Sequence, residues 1–397
     1  MKICIVAPFD YPIPAIKGGA LEQIVESICR INEVEEKLDI TVLATYEESL
    51  KEIDFHCTKF HYFKKSVMDK ASFFAFRVIK KLFKIYIPSY PRMIKVRRWL
   101  EKYENQYDFI VYEDGLTYML AYLFKNIDRR KVISHLHWVG DPDNKSNRYF
   151  AHLIPVSKYV GDVWLKGCSV PKIETHFVRN GVDLDKFKKQ LNNHEKISLK
   201  SELRIRDDDF VILFIGRITW EKGIAELIHA IELIDDKRMV LLLVGAPQFA
   251  VSAQSKYQIE IDRLIKKASH KIICTGYVKN DEIYKYQNIA DIAVIPTIIE
   301  EAAPLVCVEN MAAGLPLIIT DSGGMPEYTN PRCSIVVKKG DGLEKRLAES
   351  IRALMKDADR RIEMGTIAKQ IAEEYTIKRM YEEFVSCLDC IKNERLN

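Results

Sequence analysis

From Glu300 to Thr329 the chain reads EEAAPLVCVENMAAGLPLIITDSGGMPEYT. Seven residues separate Glu301 from Glu309. The pattern from Val306 onward is helical, and Gly314-Leu315-Pro316 stops it. Eight helical residues span ~12 Å, so two carboxylates at that spacing cannot share one reacting atom. They can hold two ends of an extended ligand, each accepting hydrogen bonds from a pair of hydroxyls. Read alone, the same acids suit a cap and surface charge. A second cluster, Gly216-Arg217 and Lys222-Gly223, follows the apolar run Phe210–Ile215. Glycine lets backbone approach a ligand closely, a helix N-terminus favours anions, and two cations here would neutralise a diphosphate. A basic strand-end loop is the plainer reading. The spacing is neither a P-loop nor GxGxxG, so an NTPase or a dinucleotide enzyme is not supported. His135-Leu136-His137 ends another apolar run, although a satisfied structural histidine fits either position. Gly18-Gly19 lies in the first strand-to-helix loop, where a simple turn would also use it.

These residues need elements to hold them. Lys2–Pro8 is an Ile/Val-rich run, followed by a Pro/Gly loop and then a helical pattern (Leu21, Ile24, Val25, Ile28). Phe210–Ile215 repeats the arrangement, with Leu227, Ile228 and Ile231 marking its helix. Strand, glycine-bearing loop and helix open a doubly wound α/β domain, and two such openings imply two domains. Further strands are expected at Ile40–Ala44, Phe109–Tyr112, Lys131–Leu136, Leu153–Val156, Val240–Val244, Ile272–Thr275, Ile292–Pro296, Leu317–Thr320 and Ser334–Val337. They are continuous apolar runs, the mark of strands buried on both faces in parallel sheets. The polar stretch Lys186–Asp209 reads as the linker, with Asp207–Asp209 as a turn, and Ile377–Glu394 reads as a last helix. The expected division is 1–185, with 377–397 packing back on it, and 186–376. Ligands bind at the carboxyl ends of parallel strands. The expected fold is therefore α/β, two doubly wound Rossmann-like domains facing across a cleft with one substrate on each wall.

Composition limits the alternatives. A chain of 397 residues with 48% hydrophobic and 29% charged residues packs into two or three globular domains and is not disordered. The net charge of +4 argues against a bulk nucleic-acid binder. No run reaches the ~18 apolar residues of a membrane span. The apolar stretch after Lys2 is too short for a signal-peptide core and lacks a cleavage pattern. Nine scattered cysteines, an odd number, argue against a disulfide framework and for a reducing cytoplasm. Cys387 and Cys390 read as two thiols on one helix rather than a metal or redox site. Segment 59–102 holds thirteen Lys or Arg against two acids, so the rest of the chain is net acidic. Within Ala71–Tyr86, Phe76, Ile79, Phe83 and Tyr86 share one helical face while Arg77, Lys80, Lys81 and Lys84 fall on another. A basic amphipathic helix with aromatics suits an anionic membrane surface, at about 1 kcal/mol per basic residue near the headgroups. Binding an acceptor phosphate, or merely facing water, are the other readings.

Together these motifs resemble the retaining, nucleotide-sugar-dependent glycosyltransferases of family 4, the group 1 glycosyltransferases of GT-B fold. The resemblance runs over most of the chain in the right order. It comprises Gly18-Gly19, the strand-end histidines, VSKYV at Val156–Val160, RNGVDLDKF at Arg179–Phe187, GRITWEKGI at Gly216–Ile224, GYV at Gly276–Val278, and the E-x7-E element with its GLP and GGMPE followers. It implies that Arg217 and Lys222 clamp the donor diphosphate beside Gly216. It implies that Glu309 binds the ribose diol and Glu301 the donor sugar hydroxyls. Leu305 and Val306 would offer backbone amides to the phosphates, and Tyr277-Val278 would meet the base. His135 or His137, preferentially His137, would contact the sugar, and Gly19 would let the first loop close over the donor phosphate and acceptor. The donor would be a UDP- or GDP-type sugar, with no cofactor and no metal, since the clamp cations do a divalent ion's work and no DxD cluster is well placed. The acceptor would be a sugar or a lipid-linked hydroxyl in surface polysaccharide or glycoconjugate assembly, reached from the inner face of the membrane by segment 59–102. Family members usually carry a small residue or proline, then Phe-Gly, after the first glutamate. Here the residues are Ala302-Ala303-Pro304, and proline removes one N–H that could reach the donor sugar. A GT-B epimerase or hydrolase, and a catalytically silent GT-B binding protein, are the competing readings. The retained Arg217, Lys222, Glu301 and Glu309 argue against both.

Overall fold

Uninterrupted apolar runs have no polar face to give to water, so they become strands covered on both sides. In the computed structural model, which describes residues 1–9, 11–16, 19–50, 55–65, 92–113, 122–139, 146–166, 173–246 and 256–394, they do so in two sheets. The first contains β1 (Lys2–Val6), β2 (Asp39–Tyr46), β3 (Thr58–Lys64), β4 (Phe109–Tyr112), β5 (Val132–Leu136), β6 (His152–Pro155) and β7 (Glu174–Thr175). Their order is β3-β2-β1-β4-β5-β6-β7, all parallel. The order reverses between β1 and β4, the switch point of a doubly wound fold. α1 (Ala20–Glu35) buries Ile24, Val25, Ile28 and Cys29 at helical spacing and ends at Glu36, which takes the left-handed conformation. α2 is Arg92–Tyr103 and α3 is Lys158–Lys166. At the start of α3, Ser157 Oγ accepts a hydrogen bond from the Val160 N–H, so the VSKYV motif is the helix start.

The second sheet contains β8 (Phe210–Ile215), β9 (Met239–Val244), β10 (Lys271–Gly276), β11 (Ile292–Ile295), β12 (Leu317–Thr320) and β13 (Ser334–Val337). It is parallel throughout, in the order β10-β9-β8-β11-β12-β13, with its switch point between β8 and β11. With it go α4 (Asn193–Glu202), α5 (Ile224–Glu232), α6 (Lys256–Lys267), α7 (Ile283–Gln287), α8 (Leu305–Ala313), α9 (Leu343–Lys356) and α10 (Ala358–Ala372). One core lies on each face of this sheet, one centred on Val211, Leu213 and α8, the other on Ile212, Phe214 and α9.

The chain falls into two units, Met1–Gly181 with Ile377–Asn397, and Val182–Thr376. α11 (Ile377–Glu394) belongs to the first, burying Met380, Tyr381, Phe384, Leu388 and Ile391 against α1 and the sheet. The Tyr381 hydroxyl donates to Asn32 Oδ1 at 2.6 Å, while the Asn32 side chain bonds both backbone groups of Leu38. A tyrosine buried in this way contributes about 1.5–3 kcal/mol of apolar burial, with its polar end satisfied.

The expected linker at Lys186–Asp209 is corrected here. That stretch belongs to the second unit, and the chain passes between units at Gly181-Val182. The Val182 N–H bonds the Tyr375 carbonyl, and Leu184 and Phe187 enter the second core. α4 has only two apolar residues, Ile197 and Leu199, of which Leu199 packs on the core, so it carries no apolar period. Its start is fixed by a capping box, Asn192 and Glu195 each bonding the other's backbone N–H. Two strands were not expected, β3 and β7. β3 is an edge strand alternating buried and exposed residues, and β7 has two residues.

The basic segment 59–102 is only partly described, and the amphipathic helix expected at 71–86 lies outside the described residues. Its flanks do not present a uniform basic surface. Arg92 is buried, with its guanidinium on the Phe9 carbonyl at 2.6 Å and Thr45 Oγ1 at 3.3 Å. Arg97 pairs with Glu101 at 2.9 Å, Lys59 with Asp39 at 3.6 Å, and Lys64 sits over the Tyr46 ring. Among the described residues no helix is long and apolar enough to cross a membrane.

Candidate functional site

In the second unit the expected residues gather at the carboxyl ends of the strands. Gly216 and Arg217 directly follow β8, and Arg217 is exposed. Trp220–Lys222 forms one 3-10 turn that ends on Gly223, which leads into α5. Gly223 has φ +68°, and a Cβ there would meet the Pro296 carbonyl oxygen at 1.9 Å. The turn and the loop after β11 are therefore packed backbone to backbone, and the Ile298 N–H bonds the Glu221 carbonyl at 3.0 Å. That same loop carries Glu301. Its carbonyl accepts the Gly324 N–H at 2.7 Å, and Lys222 Nζ donates to its side-chain Oε1. Both side chains of this pair are half-buried. Neighbouring Glu300 is engaged instead by Lys339 at 2.6 Å. The β8 and β11 loops thus meet beside the switch point, joined by an ion pair.

Glu301 precedes α8 in a non-helical segment, with Pro304 at the cap position, so the ~12 Å separation that a continuous helix would give does not apply. Leu305 and Val306 form the first turn of α8, where backbone N–H groups have no intrahelical acceptor. Their side chains pack on the core. Glu309 stands one turn further along. Burial pushes its carboxyl up to about 7, against the opposing charge of Lys186. Tyr277 and Val278 follow β10, the edge strand. Tyr277 is exposed, whereas the Val278 side chain packs on the core, leaving only its backbone for a ligand.

In the first unit Gly18 lies outside the described residues. Gly19 starts α1 at φ +103°, a conformation suited to glycine. His135 closes on the carboxyl end of β5 and His137 follows it. Both approach one carboxylate oxygen, Oε2 of Glu113, which itself follows β4. His135 Nδ1 lies 2.9 Å from that oxygen and His137 Nε2 hydrogen-bonds it at 2.8 Å. All three side chains are buried. Burial acts to raise the Glu113 carboxyl, but the two imidazoles outweigh it and hold the group at about 2. Burial and the charge of His135 lower the pKa of His137, against the hydrogen bonds of Glu113 and Asn180. Glu113 was missed in the sequence because it is an isolated acid. Its signal was position, the first residue past an apolar strand beside the switch point. Asn180 belongs to the RNG motif, whose Arg179 pairs with Glu383 of α11 at 2.8 Å. Of the CxxC pair, Cys387 is buried in the core and Cys390 is exposed, and both are free thiols one turn apart on the same helix.

Two parallel sheets of Rossmann-like order, the second with cations and acids at its strand ends, define a doubly wound α/β protein. Residues 195–371 match the family model described as glycosyl transferases group 1. The second unit is accordingly a group 1 glycosyltransferase domain, and the fold of the chain is GT-B. The chain is 27% identical over 241 residues to the uncharacterized glycosyltransferase MJ1607 of Methanocaldococcus jannaschii, covering 56% of this chain and 60% of the relative. It is 25% identical over 260 residues to the lipopolysaccharide 1,2-N-acetylglucosaminetransferase of Salmonella typhimurium, covering 64% and 65% respectively. It thus spans less than two thirds of the length of these two relatives. Among solved structures, Anabaena HepE in complex with UDP superposes with a TM-score of 0.73 at 18% identity, over 98% of this chain and all of that one.

Proposed function

We propose that this protein is a retaining glycosyltransferase that moves a sugar from a nucleoside diphosphate to a hydroxyl acceptor without a metal. The observation that carries the reading is the junction of the β8 and β11 loops. Arg217, Lys222 and the N–H groups opening α8 supply positive charge there, and two acids follow within a few residues. As the glycosidic bond to the diphosphate breaks, negative charge develops on the leaving phosphates. Preorganised cations and amides stabilise it, and electrostatic stabilisation of this kind is usually the largest catalytic term. We assign Arg217 and Lys222 to the diphosphate, the Leu305 and Val306 amides to its oxygens, and Glu309 to the ribose diol. We assign Glu301 to the sugar hydroxyls and Tyr277 with the Val278 backbone to the base. In the first unit we assign His137 the sugar contact and Gly19 the loop for the donor phosphate and acceptor.

Retention in glycosidases uses two carboxyl groups ~5–5.5 Å apart, one of them a nucleophile. With Glu301 assigned to the sugar hydroxyls and Glu309 to the ribose diol, neither acid is left for the nucleophile's role. We infer attack on the face the diphosphate leaves, with the departing phosphate taking the acceptor proton. The UDP bound by HepE and the lipopolysaccharide substrate of the Salmonella relative support a nucleotide sugar as donor and a surface glycoconjugate as acceptor. The basic, aromatic segment 59–102 supports an acceptor held at an anionic membrane on the cytoplasmic side. The test is a thermal-shift screen of nucleoside diphosphates and their sugars, followed by product analysis with the best donor. Stabilisation by one diphosphate and its sugar, with a product of unchanged anomeric configuration, is expected. No response to any diphosphate, or an inverted product, refutes the reading.

A further inference from the structure

We propose that His152, Glu174 and His176 form a binding site for one divalent transition-metal ion of the zinc class. The site is separate from the residues assigned to glycosyl transfer and does not depend on that assignment. His152 opens β6 and Glu174 opens the edge strand β7, and the two are register partners. His176 lies two residues beyond Glu174, hence on the same face, and its N–H bonds the Leu153 carbonyl at 2.9 Å. His152 Nδ1 stands 3.2 Å from Glu174 Oε2, and one ligand atom from each of the three residues lies within 4.8 Å of the others.

Zinc bonds nitrogen and carboxylate oxygen at about 2.0–2.2 Å, so ligands on a tetrahedron stand ~3.3 Å from one another. The first pair already has that separation. His176 Nε2 is buried and has no hydrogen-bond partner among the described residues. An orphaned buried imidazole nitrogen is costly, and a metal bond satisfies it. The Glu174 side chain is 36% exposed, so it can adjust and leave one position open to water. Two imidazoles and one carboxylate suit zinc-class ions and not magnesium or calcium, which prefer all-oxygen shells. The other cluster of this kind among the described residues, Glu113 with His135 and His137, belongs to the candidate site at the carboxyl ends of β4 and β5. The proposed site instead sits where β6 begins. An ion there would clip the two-residue β7 to its neighbour.

The experiment uses the full chain stripped with chelator, then dialysed against zinc or magnesium and read by metal analysis and thermal unfolding. Wild type should retain one equivalent of zinc and unfold at a higher temperature in zinc, with no response to magnesium. Affinity should fall as the pH is lowered, because protons compete with the metal for the imidazole nitrogens. His176→Ala and Glu174→Gln should each lose the equivalent and the thermal shift. Both residues lie at the sheet edge, and circular dichroism in chelator checks that each variant folds. If His152→Ala fails to fold, these two variants carry the test. Absence of zinc from the dialysed wild type overturns the proposal. So does retention of zinc by both variants, which would place the ion elsewhere.

Discussion

Glu113 accepts a hydrogen bond from His137 at 2.8 Å through the same oxygen that His135 approaches, so one buried carboxylate orients two imidazoles at a strand end. The contact sets which ring nitrogen of His137 carries its proton and where the ring points. Glu113→Gln should lower turnover on the order of 10–100-fold, the penalty of misplacing a contacting group, with a smaller effect on donor KM. It should also change the acid limb of stability. The folded carboxyl sits near 2, below its unfolded value, so its contribution is complete above about 4.5 and is lost as the pH falls toward 2. That difference corresponds to about 3 kcal/mol. Unfolding curves of wild type and variant should converge as the pH falls through this window. Parallel curves would show that the carboxylate is not held ionised.

Lys222 and Glu301 form an ion pair between the β8 and β11 loops, although their assigned ligands are the diphosphate and the sugar. Donor binding must then redirect the lysine toward phosphate and free the carboxylate for hydroxyls. Lys222→Ala should reduce kcat by roughly 10²–10³, the scale for removing one stabilising charge contact. Glu301→Gln should reduce it as well, and the double variant should fall well short of the product of the two losses. Strictly multiplicative losses would show that the residues act independently.

Much of this was legible in the sequence. Apolar runs such as Val240–Val244 and Leu317–Thr320 can only be strands buried on both faces, and Gly216, Gly223 and Gly314 mark where they and their helices turn. What escaped depends on tertiary neighbours. α4 has no apolar period because it lies on the surface, so its cap was the only local signal. Glu113 acquires its role from two histidines more than twenty positions away. Arg92 looks like one more charge in a basic stretch, and only its burial over Phe9 and Thr45 shows otherwise.

Arg92 therefore separates folding from lipid binding within segment 59–102. Removing a buried guanidinium that bonds a carbonyl and a hydroxyl costs about 1.5–3 kcal/mol per charged hydrogen bond lost. Arg92→Ala should lower the unfolding midpoint while leaving flotation with anionic vesicles unchanged. Replacing Lys80, Lys81 and Lys84 by glutamate should abolish flotation. Equal recovery with neutral and anionic vesicles in the wild type would end the electrostatic account.

Gly223 tests whether the cation turn depends on its close approach to the β11 loop. A side chain at φ +68° costs roughly 1–2 kcal/mol by itself, and the Cβ would also collide with the Pro296 oxygen. Gly223→Ala should destabilise the chain by more than about 2 kcal/mol and weaken diphosphate binding with it. A variant of unchanged stability would mean that the two loops can separate at no cost.

Glu309 supplies a pH dependence of opposite sign to that of Glu113. Burial lifts its folded carboxyl to about 7, above the unfolded value, so the protonated group is favoured in the fold. Its contribution to stability is full below about 4.5 and is lost as the pH rises through 7. If its ligand is the ribose diol, the ionised form is the better acceptor, because a protonated carboxyl keeps one oxygen as a donor. Nucleotide affinity should then rise as the pH passes 7 while stability declines. Hydrogen bonds to a charged acceptor are worth about 1.5–3 kcal/mol, so the gain should be on the order of tenfold or more. Glu309→Gln should remove both slopes, binding at the weaker level throughout and unfolding at a midpoint that no longer falls between pH 5 and 8. Titration calorimetry with the nucleoside diphosphate and thermal melts across that range measure the two slopes separately. An affinity slope surviving in the variant would assign it to another group and detach Glu309 from the ribose.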